Sequence, residues 1–458
     1  MSYDVDCLLK TALKQPAISK NCTFGPQSNR IMLRVLLNLC CLLSALTTDA
    51  QSASERLTFG DVQWTFSTSG KVFSSPVLAG NDLFIGSEDA YFYALQPNSG
   101  KLKWKFKTGG AIHSTAVVHD GSVFFGSFDG SYYALDTKRG TKKWQFKTGG
   151  ERWMGGKGYL GMKPDSVHHD DPWEFYLSSP VIGESPDGPI VYFGSSDHHV
   201  YAVNASSGTL IWKYQTQGVV HSSPALHEGV LYIGSWDTFL YALDARTGNL
   251  LWKFKTGDQL GMSGIQASPV VHQGVVYFGA RDAHFYAVNT QDGSLKWKYA
   301  ADNSWILSDA VVQNNTVYFG TSDSYLVLAL NAKDGTERWR APLKGYVYSS
   351  PYLYRNSLFV GDFTGAVYAV SLSDGTMADV FKTPSNISFG PEILTAEGKM
   401  DFMKLAEGKD LSLYSTNVGV MNELYRLGSV LGSPVVADGI LYFGSANGDV
   451  YAIRIQEP

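Results

Sequence analysis

Beyond Cys41 the chain has no cysteine; all four, Cys7, Cys22, Cys40 and Cys41, lie near the start. The rest of the chain therefore forms no disulfide, offers no thiolate to a metal and uses no cysteine nucleophile. The pattern Cys-x-x-Cys-His is absent, which excludes an attached c-type haem. Lysines and arginines form no basic run, and the net charge is −5, so nucleic acid is not an expected partner. Long apolar runs are missing as well. The apolar stretch at 35–46, VLLNLCCLLSAL, is too short to cross a bilayer comfortably as a helix, so no transmembrane segment is expected.

That stretch follows Arg30 and Arg34 and leads to Ala50, the order of a secretory leader: charge, apolar core, small residue at the cut. Residues 1–50 are thus expected to be an N-terminal extension with a cleaved signal peptide, leaving 51–458 as one periplasmic or secreted domain of the cell envelope. Met32-Leu33-Arg34 begins a conventional leader, which places the expected translation start at Met32. Leu39 precedes Cys40 where a bacterial lipidation site takes a small residue, which argues against a lipid anchor.

What the chain has in quantity is glycine, 47 residues, and tyrosine, 26 residues, and this pairing favours tight turns between strands. One phrase recurs: ALQPNSGKLKWKFKTG at 94–109, ALDTKRGTKKWQFKTG at 134–149 and ALDARTGNLLWKFKTG at 242–257. A Ser-Pro-like step recurs with it, at Ser75-Pro76, Thr115-Ala116, Ser179-Pro180, Ser223-Pro224, Ser268-Pro269, Ser308-Asp309, Ser350-Pro351 and Ser433-Pro434. Eight copies at mostly blade-length spacing predict an all-β, eight-bladed propeller of four-stranded antiparallel blades. In the fourth copy, strands are expected at 222–226, 230–234, 239–243 and 250–256, with Trp252 and Phe254 on one face of the last and Lys253 and Lys255 on the other.

The eighth copy ends without its Trp strand, and the missing piece stands at the other end of the chain. Trp64-Thr65-Phe66-Ser67-Thr68 matches Trp252-Lys253-Phe254-Lys255-Thr256. The N-terminal strand is therefore expected to complete the last blade and close the ring, giving a single domain and a monomer. Two insertions interrupt the repeat, at 151–176 and 384–428.

The motif A-x-D-x-x-T-G-x-x-x-W, complete in Ala242, Asp244, Thr247, Gly248 and Trp252, closely resembles the repeat of pyrroloquinoline quinone (PQQ) enzymes and of BamB-like propellers. The likeness runs through nearly all of 62–456. In quinoprotein alcohol dehydrogenases it implies PQQ with calcium on the axis and an aspartate base. In BamB-like propellers it implies no cofactor, and loops that hold a partner in the outer-membrane assembly machinery.

Trp64, Trp104, Trp144, Trp212, Trp252, Trp297 and Trp339 share one repeat position, and a residue used all round a ring packs blades rather than catalyses. Asp89, Asp129, Asp197, Asp237, Asp282 and Asp323 read as turn residues. Asp379 replaces the Trp of the seventh copy, and a looser rim is expected there. Function is sought where the repeat breaks. The first insertion holds Arg152, Trp153, Lys157, Tyr159, His168, His169, Asp170, Asp171 and Trp173, a mixture suited to a recognition surface. Its His-His-Asp-Asp run points in alternate directions and is not expected to bind a metal. A second group is the inner-strand level formed by Phe73, His113, Leu177, His221, Gln266, Ile306, Tyr348 and Leu431, where His113, His221 and Gln266 are candidates to bind a ligand or partner in the channel, although each histidine is rather expected to bond a neighbouring backbone group. Trp236 and Trp305 stand outside the repeat position; Trp236 offers a stacking face and Arg281 a charge. In the second insertion a weak helical pattern covers 392–405, interrupted by Gly398.

The resulting expectation is a non-catalytic binding or assembly scaffold without cofactor or metal, holding a protein partner through loops on one propeller face. Two alternatives stay open. One is a PQQ- and calcium-dependent dehydrogenase, with Asp309, placed at the Pro position, as candidate catalytic residue. The other is a polysaccharide-binding propeller using Trp153, Trp173 or Trp236 for stacking.

Overall fold

Eight four-stranded antiparallel sheets follow one another along the chain in this computed structural model, which describes residues 56–257 and 263–457. The expected leader, the Met32 start and Cys40 lie outside the described residues. Seven blades are continuous in sequence, at 77–107, 117–147, 181–215, 225–255, 270–300, 311–342 and 352–382. The eighth combines Val435–Ala437, Ile440–Gly444 and Asp449–Gln456 with the N-terminal strand Thr58–Ser67.

Closure occurs in the register of every other blade. Ala242 pairs with Trp252 in the fourth blade, and Ala452 pairs with Trp64 in the eighth. Chain ends far apart in sequence thus rebuild the same two-residue contact.

Within each blade the second and third strands are buried on both faces, as Leu231, Tyr232, Ile233, Leu240, Tyr241 and Leu243 illustrate. The outer strand Leu250–Lys255 alternates exposed and half-buried positions, as a sheet edge facing water does. The core lies between blades: Tyr232, Leu240 and Ala242 pack against Val276, Phe278 and Tyr286 of the next one.

The recurring phrase is an interlocking device. Each repeat tryptophan donates its indole N–H to a backbone carbonyl of the following blade, for example Trp252 to Thr290 at 2.9 Å and Trp104 to Thr137 at 2.9 Å. Its ring lies over the glycine of that blade's turn. A Cβ on Gly293, at φ +70°, would stand 2.6 Å from Trp252 Cε3. Asp89, Asp129, Asp197, Asp237 and Asp282 also tie blades together. Asp237 accepts from Phe239 N and the Tyr241 hydroxyl in its own blade and from Gln217 N of the preceding one.

The rim at Asp379 differs from the loose edge expected. Asp379 Oδ2 accepts a 2.8 Å bond from Phe59 N of the closing strand. The third and fourth strands of the eighth blade come from opposite chain ends, so no Thr-Gly turn joins them. A seventh-blade tryptophan would have no glycine to cover, and a carboxylate takes the place.

The two insertions meet. The first contains a hairpin, Gly155–Lys157 with His168–Asp170. The second contains helices at Pro384–Ile393, Phe402–Leu405 and Tyr414–Tyr425. Helix therefore begins earlier than the expected 392–405, because Thr383 caps it by accepting from Asn386 N and Pro384 suits its first turn. Gly398, at φ +73°, lies in the break between the first two helices. Lys163 N donates to Ser412 O at 2.6 Å and Tyr414 N to Lys163 O at 3.2 Å, joining the insertions.

Candidate functional site

The innermost strands bring Ser75, Thr115, Ser179, Ser223, Ser268, Asp309, Ser350 and Ser433 to one level around the axis. The backbone N–H of each donates to the side-chain oxygen of the next, at 2.6–3.2 Å, and Ser433 N donates to Ser75 Oγ to complete the circle. Asp309 is the single carboxylate in this ring. Its Oδ1 accepts from Ser268 N at 2.6 Å while its own N–H donates to Ser350 Oγ at 2.9 Å. Burial raises the Asp309 carboxyl above its ordinary value, with the bonds from Ser268 and Ser350 opposing.

This geometry corrects the expected alignment by one residue. Asp309 stands at the serine position, not the proline position, and Ala310 takes the proline's place. Ser308 confirms the phase: its hydroxyl donates to Gly320 O as that of Ser74 donates to Gly86 O. The same slip moves the next level. Leu307, not Ile306, joins Phe73, His113, Leu177, His221, Gln266, Tyr348 and Leu431 around the axis, while Ile306 is packed between blades.

The axial cavity bounded by these levels is about 60 Å³. The first insertion closes it on one side. Tyr176 lines the cavity and donates its hydroxyl to Tyr348 O at 2.9 Å, and Phe175 packs on Phe73 and Tyr348.

A buried polar network lies under this cap. Arg281 Nη1 meets Asp171 Oδ2 at 2.5 Å with both side chains fully buried, and Arg281 Nε donates to Gln266 Oε1 at 3.1 Å. The guanidinium is sandwiched between Trp236 and Trp305, 4.4 and 4.3 Å from their ring centres. Burial opposes its charge, but Asp171 and Glu174 outweigh that, so its pKa is raised. His221 Nδ1 lies 3.3 Å from Glu174 Oε1, and its Nε2 lies 2.7 Å from Ser196 Oγ, which also donates to Glu151 at 2.6 Å. His113 Nδ1 meets Phe175 O, and its Nε2 is 3.5 Å from Glu88. His113 thus has the backbone partner expected, whereas His221 is held by side chains.

The other predicted residues are placed as follows. Arg152 is exposed, its carbonyl oxygen 2.9 Å from Ser196 Oγ. Trp153 is half-buried and stacks on Phe128 at 4.2 Å. Trp173 meets Trp305 edge-on at 6.3 Å. Tyr159 donates to Asp171 at 3.3 Å, and burial together with Asp171 keeps its phenol neutral, well above the ordinary range. His168 is exposed, while His169 is buried on the ring of Tyr414 at 4.6 Å with Nε2 2.8 Å from Pro164 O. Trp236 and Arg281 therefore offer neither a free stacking face nor a free charge; each is occupied by the other. Among the described residues no cluster of His, Cys, Asp or Glu is placed to hold a metal ion.

Glu174, Glu88 and Glu151 escaped sequence reasoning. Glu174 carried the one usable signal, a carboxylate between Trp173 and Phe175 outside the repeat.

These features define a PQQ-like propeller of the BamB type, in which repeat tryptophans lock the blades and two insertions cover one end of the axis. Within that class the chain belongs to the family of the β-propeller of β-alanine-activating enzyme, whose pattern it matches over residues 172–455. Residues 53–157 match the family of outer membrane protein assembly factor BamB. BamB of Yersinia pestis is 25% identical over 170 residues, 34% of this chain and 43% of that protein. BamB of Escherichia coli (strain K12) is 30% identical over 110 residues, 24% and 26% of the two. The β-alanine-activating enzyme of Danio rerio is 50% identical over 42 residues, 9% of this chain and 4% of that enzyme. The chain thus matches less than half the length of each of these relatives. Two solved structures share the fold with TM-scores of 0.60, each covering 87% of this chain and 99% of the other: BamB from Moraxella catarrhalis, 16% identical, and a computationally designed protein, 14% identical.

Proposed function

We propose that this propeller is a non-catalytic scaffold that holds a protein partner on the face covered by its two insertions. The observation that carries this reading is the contrast between axis and cap. The axial cavity, about 60 Å³, is well below the roughly 300–1,000 Å³ of pockets that enclose a cofactor-sized ligand. The insertions, in turn, carry exposed Val167, Ile387, Phe389, Met403 and Leu413, apolar side chains on loops and helices of the kind that contribute to interaction sites.

The residues on the axis do not fit PQQ with calcium. Asp309 is the one carboxylate at the serine level, and its Oδ1 is committed to the backbone ring. Polysaccharide stacking loses support because Trp173 and Trp236 are packed against Trp305 and Arg281, and Trp153, with Phe128 on one face, lines a cavity too small for a sugar chain. The name of the BamB relatives and the leader-like pattern ahead of Ala50 support a cell-envelope location, periplasmic or secreted, and closure of the ring supports a monomer. Among the described residues no helix is long and apolar enough to cross a membrane. The likeness to β-alanine-activating enzyme supports the propeller and not that enzyme's activity.

Titration of PQQ, with calcium present, into the purified chain tests the reading by calorimetry and ligand absorbance. No heat and no spectral change are expected. Saturable binding at micromolar affinity or better would overturn it and direct attention to dye-linked alcohol oxidation and Asp309.

A further inference from the structure

Where the two insertions meet, a cavity of about 180 Å³ opens beside the cap. Its walls combine aromatic rings, Trp153, Tyr414 and Tyr425, with carboxylates, Glu88, Asp170 and Glu174. The volume suits one side chain rather than a whole cofactor.

The charge in this cavity is incompletely matched. Glu88 pairs with Lys71 at 2.8 Å, and Asp171 pairs with Arg281. Asp170 lies 3.4 Å from His168, and Glu174 lies 3.3 Å from His221, accepts from Tyr176 N at 2.9 Å and acts on Arg281 through space, but among the described residues neither carboxylate has a lysine or arginine in a direct ion pair. Glu174 is fully buried, and its Oε2 has no hydrogen-bond partner. A buried carboxylate oxygen left without a donor is costly. The site already shows how it treats a cation: Lys71 Nζ sits 5.3 Å from the centre of the Tyr425 ring while bonded to Glu88.

The geometry points to a docking site for a lysine side chain of the protein partner, its ammonium held among Trp153, Tyr414, Asp170 and Glu174. Aromatic faces and carboxylates around one opening recognise an alkylammonium: the rings attract the charge, the carboxylates accept its hydrogens, and the walls cover the methylene stem. This rests on the scaffold reading above and adds the chemistry that the cap recognises.

The test uses the full chain at physiological salt and follows tryptophan fluorescence and calorimetric heat. Three probes are titrated: the capped peptide acetyl-Gly-Lys-Gly-amide, the same peptide with norleucine for lysine, and ethylammonium chloride. The lysine peptide is expected to bind saturably, the norleucine peptide not at all, and ethylammonium at least about tenfold more weakly because it lacks the stem and backbone. Trp153→Leu should weaken the lysine peptide about 3- to 30-fold. Asp170→Asn, at a half-exposed position where folding is not at stake, should weaken it about 2- to 5-fold. Four results overturn the proposal: no saturable binding of the lysine peptide, equal binding of the norleucine peptide, ethylammonium as tight as the lysine peptide, or affinity unchanged in both variants. The PQQ titration reads the axis and not this cavity, so the scaffold reading and the lysine site fail separately.

Discussion

Arg281 of the fifth blade reaches Asp171 of the first insertion, 110 residues earlier, in an ion pair with both side chains fully buried. Two tryptophans cover the guanidinium and Gln266 holds its Nε. This pair fastens the cap to the propeller.

Removal of one partner strands the other charge. Asp171→Ala is expected to lower unfolding stability by about 3–5 kcal/mol. The double replacement Asp171→Leu with Arg281→Met should recover part of that loss, because the stranded guanidinium is removed while buried Glu174 keeps only His221 beside it. Denaturant midpoints of the three chains check both outcomes.

The tryptophan-over-glycine contact separates packing from backbone strain. Gly293 and Gly274 both lie near φ +70°, but only Gly293 has a tryptophan against it. Gly274→Ala should cost about 1–2 kcal/mol from its left-handed backbone. Gly293→Ala should cost about 1–3 kcal/mol more, because the added methyl overlaps Trp252. Equal thermal midpoints for the two variants would contradict the interlock.

Asp309 should oppose folding at neutral pH. Its folded-state pKa is raised above the ordinary 3.8, so ionisation favours the unfolded chain once pH exceeds the unfolded value. The penalty grows as pH rises to the folded-state pKa and then stays constant. Asp309→Asn keeps an oxygen for Ser268 N and cannot ionise. Its stability relative to the parent should improve from pH 3 to pH 7, measured by urea midpoints across that range.

Ring closure depends on a strand that begins the described chain. Trp64→Ala removes the indole that donates to Pro97 O and covers Gly100, and should cost about 3–5 kcal/mol. Truncation through Ser69 leaves the strand Asp449–Gln456 as an open edge, and that chain should self-associate on size exclusion.

The blades were legible because each one repeats the same local evidence. Ala242, Gly248 and Trp252 recur with small changes, and any copy can be checked against the others. Closure was legible for the same reason, Trp64 and Ala452 being the two halves of a familiar contact. The inner level was misread at one copy only. Ser308-Asp309-Ala310 admits two alignments with Ser-Ser-Pro, and a one-residue slip turns every strand residue to its opposite face. Pairing of Val311 with Tyr318 decides the matter, and pairing across strands is not visible in a three-residue string.

Sequence alone determined the all-β ring, its blade number and the role of the repeated tryptophans, since these follow from local periodicity multiplied eight times. Tertiary structure alone decided what the insertions do. Asp171 finds Arg281, Glu174 finds His221, and Tyr176 finds Tyr348 172 residues away. None of these contacts has a second copy to announce it. Each exists because curvature of the ring brings distant inner strands to one axis, where a loop can lie across them.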